Sequence, residues 1–232
     1  MMRRACGGFL LPGLLVLALL AAGCGGGGNL PPARSLLDRS AKAMGDVSTV
    51  RFTIDIDGIV APLTIRTVRG VLTRAGNAAG TVSIALGNDL EEEDFVLVGK
   101  ALYLRGATGP YQLAPESFTG RVYDPSVLLT PDHGLPAELS GAQDARTQGT
   151  ERVNGVSTYR VSATLAPDLL NGLTLLENPQ KRLPATLWIS QDDGRLEKAE
   201  VTFRTHLVSE DTRLTLTLTD FDKPVDIKPP PV

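Results

Sequence analysis

Arg213-Leu214-Thr215-Leu216-Thr217-Leu218-Thr219 decides the fold. Leucine alternates with threonine and arginine, a period of two that puts every leucine on one face of an extended strand. The same period opens the regular part of the chain, where Val50, Phe52, Ile54 and Ile56 alternate with Arg51, Thr53, Asp55 and Asp57. A strand with one dry and one wet face belongs to an antiparallel sheet, because parallel sheets are covered on both sides.

Between these two stretches, further strands are expected at 63–73, 79–86, 93–98, 101–105, 143–152, 159–163, 185–190 and 195–208. Gly76-Asn77, Gly87-Asn88, Gly99-Lys100, Asn154-Gly155 and Asp193-Gly194 punctuate them. Asn-Gly and Asp-Gly are strong two-residue hairpin signals, and the short spacing makes the strands consecutive and antiparallel. The count is about ten strands in meander order.

Helical spacing interrupts the alternation in three places. Leu36, Leu37, Ser40, Ala41 and Met44 predict an amphipathic helix over 33–44, closed by Gly45. Asp124 before Pro125 is an N-cap before a proline at the first helical position, and Thr130-Pro131-Asp132-His133-Gly134-Leu135 repeats the device. One or two short helices are therefore expected over 125–141, with Leu128, Leu129, Leu135 and Leu139 turned inward. Ala166-Pro167-Asp168-Leu169-Leu170 begins a third. The fold class is α+β: a single strongly curved antiparallel sheet with helices gathered on its apolar face.

The N-terminus carries an address rather than fold. Arg3 and Arg4, an apolar run from Phe9 to Leu20, and Ala21-Ala22-Gly23 before Cys24 match a secretory signal. Cys24 makes the site look like a bacterial lipobox, with Ala21 where that motif usually has leucine. The run is too short to span a bilayer, which takes ~20 predominantly apolar residues. The expected layout is a signal peptide over 1–23, acylation of Cys24, a flexible linker over 24–32, a folded domain over 33–228 and an extended tail over 229–232. This places the chain on the extracytoplasmic face of the cell membrane, held by lipid. Cys6 leaves with the signal, so the exported domain has no disulfide.

Charge narrows the function classes. Loss of Arg3 and Arg4 takes the 23 basic residues to 21 against 26 acidic, a net of −5. Nucleic acid wants a clustered basic surface, so it is excluded as a partner.

The search for catalysis finds little. His133 sits in a Pro-Asp-His-Gly turn and His206 on the polar phase of a strand. There is no Gly-x-Ser-x-Gly elbow, no Cys/His zinc pattern and no glycine-rich phosphate loop after a strand. Glu91-Glu92-Glu93-Asp94 reads as a solvated hairpin turn, because calcium-loop spacing with its glycine is absent. No catalytic residue, metal ligand or cofactor site is assigned.

Several blocks together resemble one family. They are Gly80-Thr81-Val82-Ser83-Ile84-Ala85-Leu86, Asp94-Phe95-Val96, Tyr123-Asp124-Pro125-Ser126-Val127-Leu128-Leu129, Pro131-Asp132-His133-Gly134-Leu135, Leu183-Pro184-Ala185-Thr186-Leu187-Trp188-Ile189 and Lys228-Pro229-Pro230. The chain resembles the LppX/LprA/LprF/LprG family of actinobacterial lipoproteins, most of all its LprG members. The resemblance implies a half-barrel sheet with helices on its concave apolar face around a hydrophobic cavity. It further implies binding of acylated lipids or glycolipids for movement across the cell envelope, with an envelope exporter as a candidate partner. The cavity wall it implies takes Val82, Ile84 and Leu86 from one strand and Phe95 and Leu97 from the next. Leu128, Leu129 and Leu135 would come from the helices, and Leu187, Ile189, Phe203, Leu214, Leu216 and Leu218 from the later strands. Two other readings stand beside it. One is a non-catalytic interaction lipoprotein whose sealed core only displays a surface to an exporter or envelope enzyme; the other, the weakest, is an esterase or glycosidase on the same scaffold.

Overall fold

The computed structural model describes residues 30–58, 65–86, 89–115, 125–167, 181–205 and 208–232. Helix α1 (Ala33–Asp46) leads into strands β1 (Thr49–Asp57), β2 (Ile65–Thr73), β3 (Ala78–Leu86), β4 (Asp89–Val98), β5 (Ala101–Arg105) and β6 (Gln112–Leu113). A 3-10 helix (Pro125–Leu129) and helix α2 (Leu135–Gly141) follow. The chain ends with β7 (Gln143–Val153), β8 (Val156–Leu165), β9 (Leu183–Ser190), β10 (Leu196–Thr205) and β11 (Val208–Thr219).

Among the described residues the strands form one antiparallel sheet of eleven, in the order β6-β5-β4-β3-β2-β1-β11-β10-β9-β8-β7. Every neighbour is consecutive in sequence except the central pair, β1 and β11, which are the first and last strands. The two most regular alternations in the chain therefore meet in the middle of the sheet, Phe52 opposite Leu218 and Ile54 opposite Leu216. The chain winds outward from β1 to the β6 edge, crosses to the β7 edge, and winds back. That crossing carries the 3-10 helix and α2, which is why helices lie on the sheet at all. α1 packs on α2 and lies over β7 and β9, and the 3-10 helix lies over β2.

α1 buries Leu36, Leu37, Ser40, Ala41 and Met44, the stripe its spacing predicts. It runs past Gly45 to Asp46 and stops where the Val47 N–H donates to the Met44 carbonyl. Glycine at 45 keeps a helical backbone there, so the helix ends two residues later than the expected 44.

Three other expectations change. The strand expected at 93–98 begins at Asp89, so the acidic run lies within β4 and not in a turn. Its charges are carried because neighbours answer them across the ladder: Arg69 reaches Glu92 at 2.6 Å, and Arg105 reaches Asp94 at 2.5 Å. The stretch expected as one strand over 195–208 ends at Thr205, and β11 already begins at Val208. β6, an eleventh strand two residues long, has no periodicity to betray it. The short helix expected from Ala166 lies mostly outside the described residues.

Candidate functional site

The inward face of the sheet is built in rows. One runs Val161, Leu187, Ala199, Leu216, Ile54, Val68 and Val82 across seven neighbouring strands before it meets Glu93 on β4. The next row on β11, β1, β2, β3 and β4 reads Leu218, Phe52, Gly70, Gly80 and Phe95. A methyl group on Gly80 would sit 2.0 Å from the Arg69 carbonyl oxygen, and one on Gly70 2.4 Å from that of Ala79. The paired glycines let the two backbones approach between two phenylalanines, the kind of kink that curves a sheet.

The helices do not fill the space over β9, β10 and β11. A cleft remains there, floored by Leu183, Leu187, Leu196, Ala199, Val201, Leu214 and Leu216 and roofed by Leu128, Leu135, Glu138 and Leu139. Leu165 and Ala166 close one flank. Twelve of these thirteen side chains are apolar; Glu138, half-buried in the first turn of α2, is the exception. Leu183 pairs with Leu165 at one end of the sheet, and Leu196 pairs with Ile189 toward the other. Six strand residues separate those levels, roughly 20 Å at ~3.3 Å each. The far end is stopped by α1, where the Leu196 N–H donates to Met44 Sδ at 3.4 Å.

The cleft is long but thin. The centre of a water molecule can range over about 50 Å³ of it. The roof is pinned from the side: Arg34 on α1 donates to the Leu139 and Ala142 carbonyls at the C-terminal end of α2, at 3.1 and 3.2 Å. Asp38 holds that guanidinium in turn, accepting from Arg34 Nε at 2.9 Å.

Of the residues expected at a cavity, Leu128, Leu135, Leu187, Leu214 and Leu216 line this cleft. Leu129, Ile189, Phe203, Leu218, Phe95 and Leu97 are buried in the core continuous with it. Val82 packs partly buried against that core, and Ile84, opposite Ile65 and Glu91, is half-buried. Leu86 belongs to β3, but its side chain lies outside the described residues, as do Cys24 and His206. The alternation of Ala199 and Val201 with Lys198, Glu200 and Thr202 offered a signal for two further liners. Leu196 offered none, because a bulge between Leu196 and Lys198 breaks the period.

Polar chemistry gathers elsewhere. On the outer face Thr81 and Arg105 hydrogen-bond Asp94, and the Arg105 guanidinium holds that carboxyl below its usual range. Glu197, the bulge residue, is 5% exposed. Burial, and then the nearby Asp193 charge, push its carboxyl from the usual 4.5 up to about 7. His133 is exposed in the turn before α2. Among the described residues no cluster of three metal-ligating side chains occurs, and no helix is long and apolar enough to cross a membrane.

A profile of the LppX_LprAFG lipoprotein family matches residues 32–227. The chain is 28% identical over 230 residues to the lipoarabinomannan carrier protein LprG of Mycobacterium tuberculosis, covering 96% of this chain and 94% of that one. Its fold matches the crystal structure of LprF from Mycobacterium bovis with a TM-score of 0.71 and 23% identity, over 85% of this chain and 96% of the other. The LppX structure from M. tuberculosis matches with a TM-score of 0.60 and 18% identity, over 84% and 98%.

Proposed function

The chain belongs to the LppX_LprAFG lipoprotein family, and from that premise we propose that it is a membrane-anchored, non-catalytic carrier of acylated lipids or glycolipids in the cell envelope. One observation carries the reading: a long apolar cleft between the curved sheet and its helices, with a single carboxylate among its thirteen lining residues. The relative named as a lipoarabinomannan carrier supports a glycolipid as cargo.

The physics of such a task asks for little else. At ~0.8 kcal/mol per CH₂, a sixteen-carbon acyl chain costs on the order of 12 kcal/mol to expose to water. A carrier must shield the chain and release it, which needs apolar area and a movable wall rather than a nucleophile. A cleft in which the centre of a water ranges over only about 50 Å³ is too thin for sixteen carbons. Chains therefore enter as α2 and the 3-10 helix lift from β9–β11. Beyond the cleft the concave face continues to Val82, Ile84, Phe95 and Leu97, a wall for further chains.

Cys24 is the acylated residue in this reading, and residues 1–23 are removed with the signal. Cys24→Ala should release the protein from membranes or leave its signal uncut. A variant that partitions into detergent like the parent rules the anchor out. For the cargo, the test is mass spectrometry of the organic extract from protein purified without detergent. Acyl lipid near one per chain supports the carrier; repeated lipid-free preparations support a sealed interaction module.

A further inference from the structure

The two ends of the cleft differ. Its floor runs from Leu183, opposite Leu165, to Leu196, opposite Ile189. Beyond Leu196 it is stopped by α1, where Met44 Sδ accepts from the Leu196 N–H at 3.4 Å. An acyl chain lying along the floor therefore leaves its headgroup at the other end, where Leu165, Ala166 and Leu183 line the space.

Two cations stand at that end. Lys181 and Arg182 directly precede Leu183; both are exposed, whereas Leu183 is buried at 1%. Consecutive Cα atoms lie ~3.8 Å apart, so both are within about 8 Å of the Leu183 Cα. After Arg3-Arg4 they are the only two basic residues adjacent in the chain. Among the described residues, neither makes an ion pair or a hydrogen bond. The sheet commits most of its other arginines: Arg51 to Asp220, Arg69 to Glu92, Arg105 to Asp94 and Arg213 to Glu200. Two carboxylates toward the same end leave the pair uncompensated. Asp144, on β7, accepts from Thr164 Oγ1 at 3.2 Å, and Glu138 on the roof is engaged with another group.

We propose that Lys181 and Arg182 select the headgroup, binding the phosphate of an amphiphile whose acyl chain lies in the cleft. The proposal rests on the carrier reading and names a cargo class within it: phosphate-bearing anionic lipids ahead of neutral ones. Arginine presents a planar fork of donors that matches two phosphate oxygens, and lysine adds a compact point charge. Acidic residues outnumber basic ones over the whole chain, so no long-range field draws an anion in. Selection therefore acts at contact, after the chain has entered. It should show in equilibrium occupancy and weaken as salt screens two exposed cations.

The test uses the full acylated chain in phosphatidylcholine vesicles and two probes with the same diazirine-bearing acyl chain. One is phosphatidylglycerol, the other a neutral galactosyl diacylglycerol, each at the same mole fraction. After irradiation, adducts on the cleft floor, at Leu187 or Ala199, are counted per protein chain. The phosphatidylglycerol adduct should exceed the galactolipid adduct about fivefold at low salt, and less at high salt. Lys181→Gln/Arg182→Gln should abolish that excess and leave the galactolipid adduct unchanged. Lys100→Gln/Arg152→Gln removes the same charge from two turns remote from this end, and should alter neither adduct. Equal adducts from the two probes in the parent overturn headgroup selection and leave the carrier standing. An excess that survives in Lys181→Gln/Arg182→Gln, or falls as far in Lys100→Gln/Arg152→Gln, overturns the assignment to this pair. A cleft floor labelled by neither probe overturns the carrier reading, and the proposal with it.

Discussion

Replacing Ala199 by phenylalanine separates a cleft that holds cargo from a core with a packing gap. Ala199 is 6% exposed, lies on the cleft floor, and stands between Leu187 and Leu216 across the ladder. Phenylalanine adds six carbons, against a space in which the centre of a water ranges over about 50 Å³. The ring should therefore occupy most of the thin cleft with little strain. The expected change in stability is within about 1 kcal/mol, or ~2–4 °C in Tm for a chain of this size. Bound acyl lipid should fall at least tenfold, equivalent to ~1.4 kcal/mol of lost binding. Val161→Phe supplies the strain reference, since Val161 is fully buried in the same row but outside the cleft. Overpacking there should cost ~1–3 kcal/mol. The assay is paired, thermal unfolding and lipid content on each variant. Parent-level lipid in a folded Ala199→Phe protein would refute the assignment, as would a loss of stability matching that of Val161→Phe.

Further outcomes test the frame around the cleft. Gly80→Ala, whose methyl would lie 2.0 Å from a carbonyl oxygen, should lose ~1–3 kcal/mol in denaturant unfolding, whereas Gly45→Ala, with nothing within 4 Å, should gain ~0.5–1 kcal/mol. Glu197 keeps a proton in the folded state up to about pH 7 that the unfolded chain gives up near 4.5. Stability should therefore fall as pH rises between those values and level off above 7, and Glu197→Gln should flatten that fall in Tm. Arg34→Ala frees the C-terminal carbonyls of α2, so uptake of a fluorescent acyl lipid should quicken at least twofold at a stability cost of about 1 kcal/mol. An unchanged uptake rate would show that α2 is not the wall that moves.

Most of the fold was legible because alternation is strict where one face is dry. Val50–Ile56 and Leu214–Leu218 each declare a strand and its inward face without help from neighbours. That these two strands pair was not legible: the sequence pattern carries no signal for the long crossing from one sheet edge to the other. The acidic run misled for a related reason. Four carboxylates in a row suggest a turn until Arg69 and Arg105, from other strands, are placed beside Glu92 and Asp94. The cleft was harder still. Leu187, Leu214 and Leu216 look the same in sequence as Phe52 or Leu218, yet only the former border open space. A gap between two layers depends on where the helices stop, and no local pattern records that. Leu196 was hidden by the bulge, and Glu138 by its ordinary place in a helix's first turn.

Photo-crosslinking with an acyl lipid that carries a diazirine near the end of its chain tests the central claim most directly. After loading, irradiation and digestion, fragmentation should place the adduct on inward-facing residues such as Leu187, Ala199, Leu214, Leu216, Leu135 or Leu139. It should also disappear in Ala199→Phe. Adducts confined to the outer face, around Trp188 and Lys198, or no adduct in a chain that has taken up the lipid, would contradict an apolar cleft as the carrier's hold.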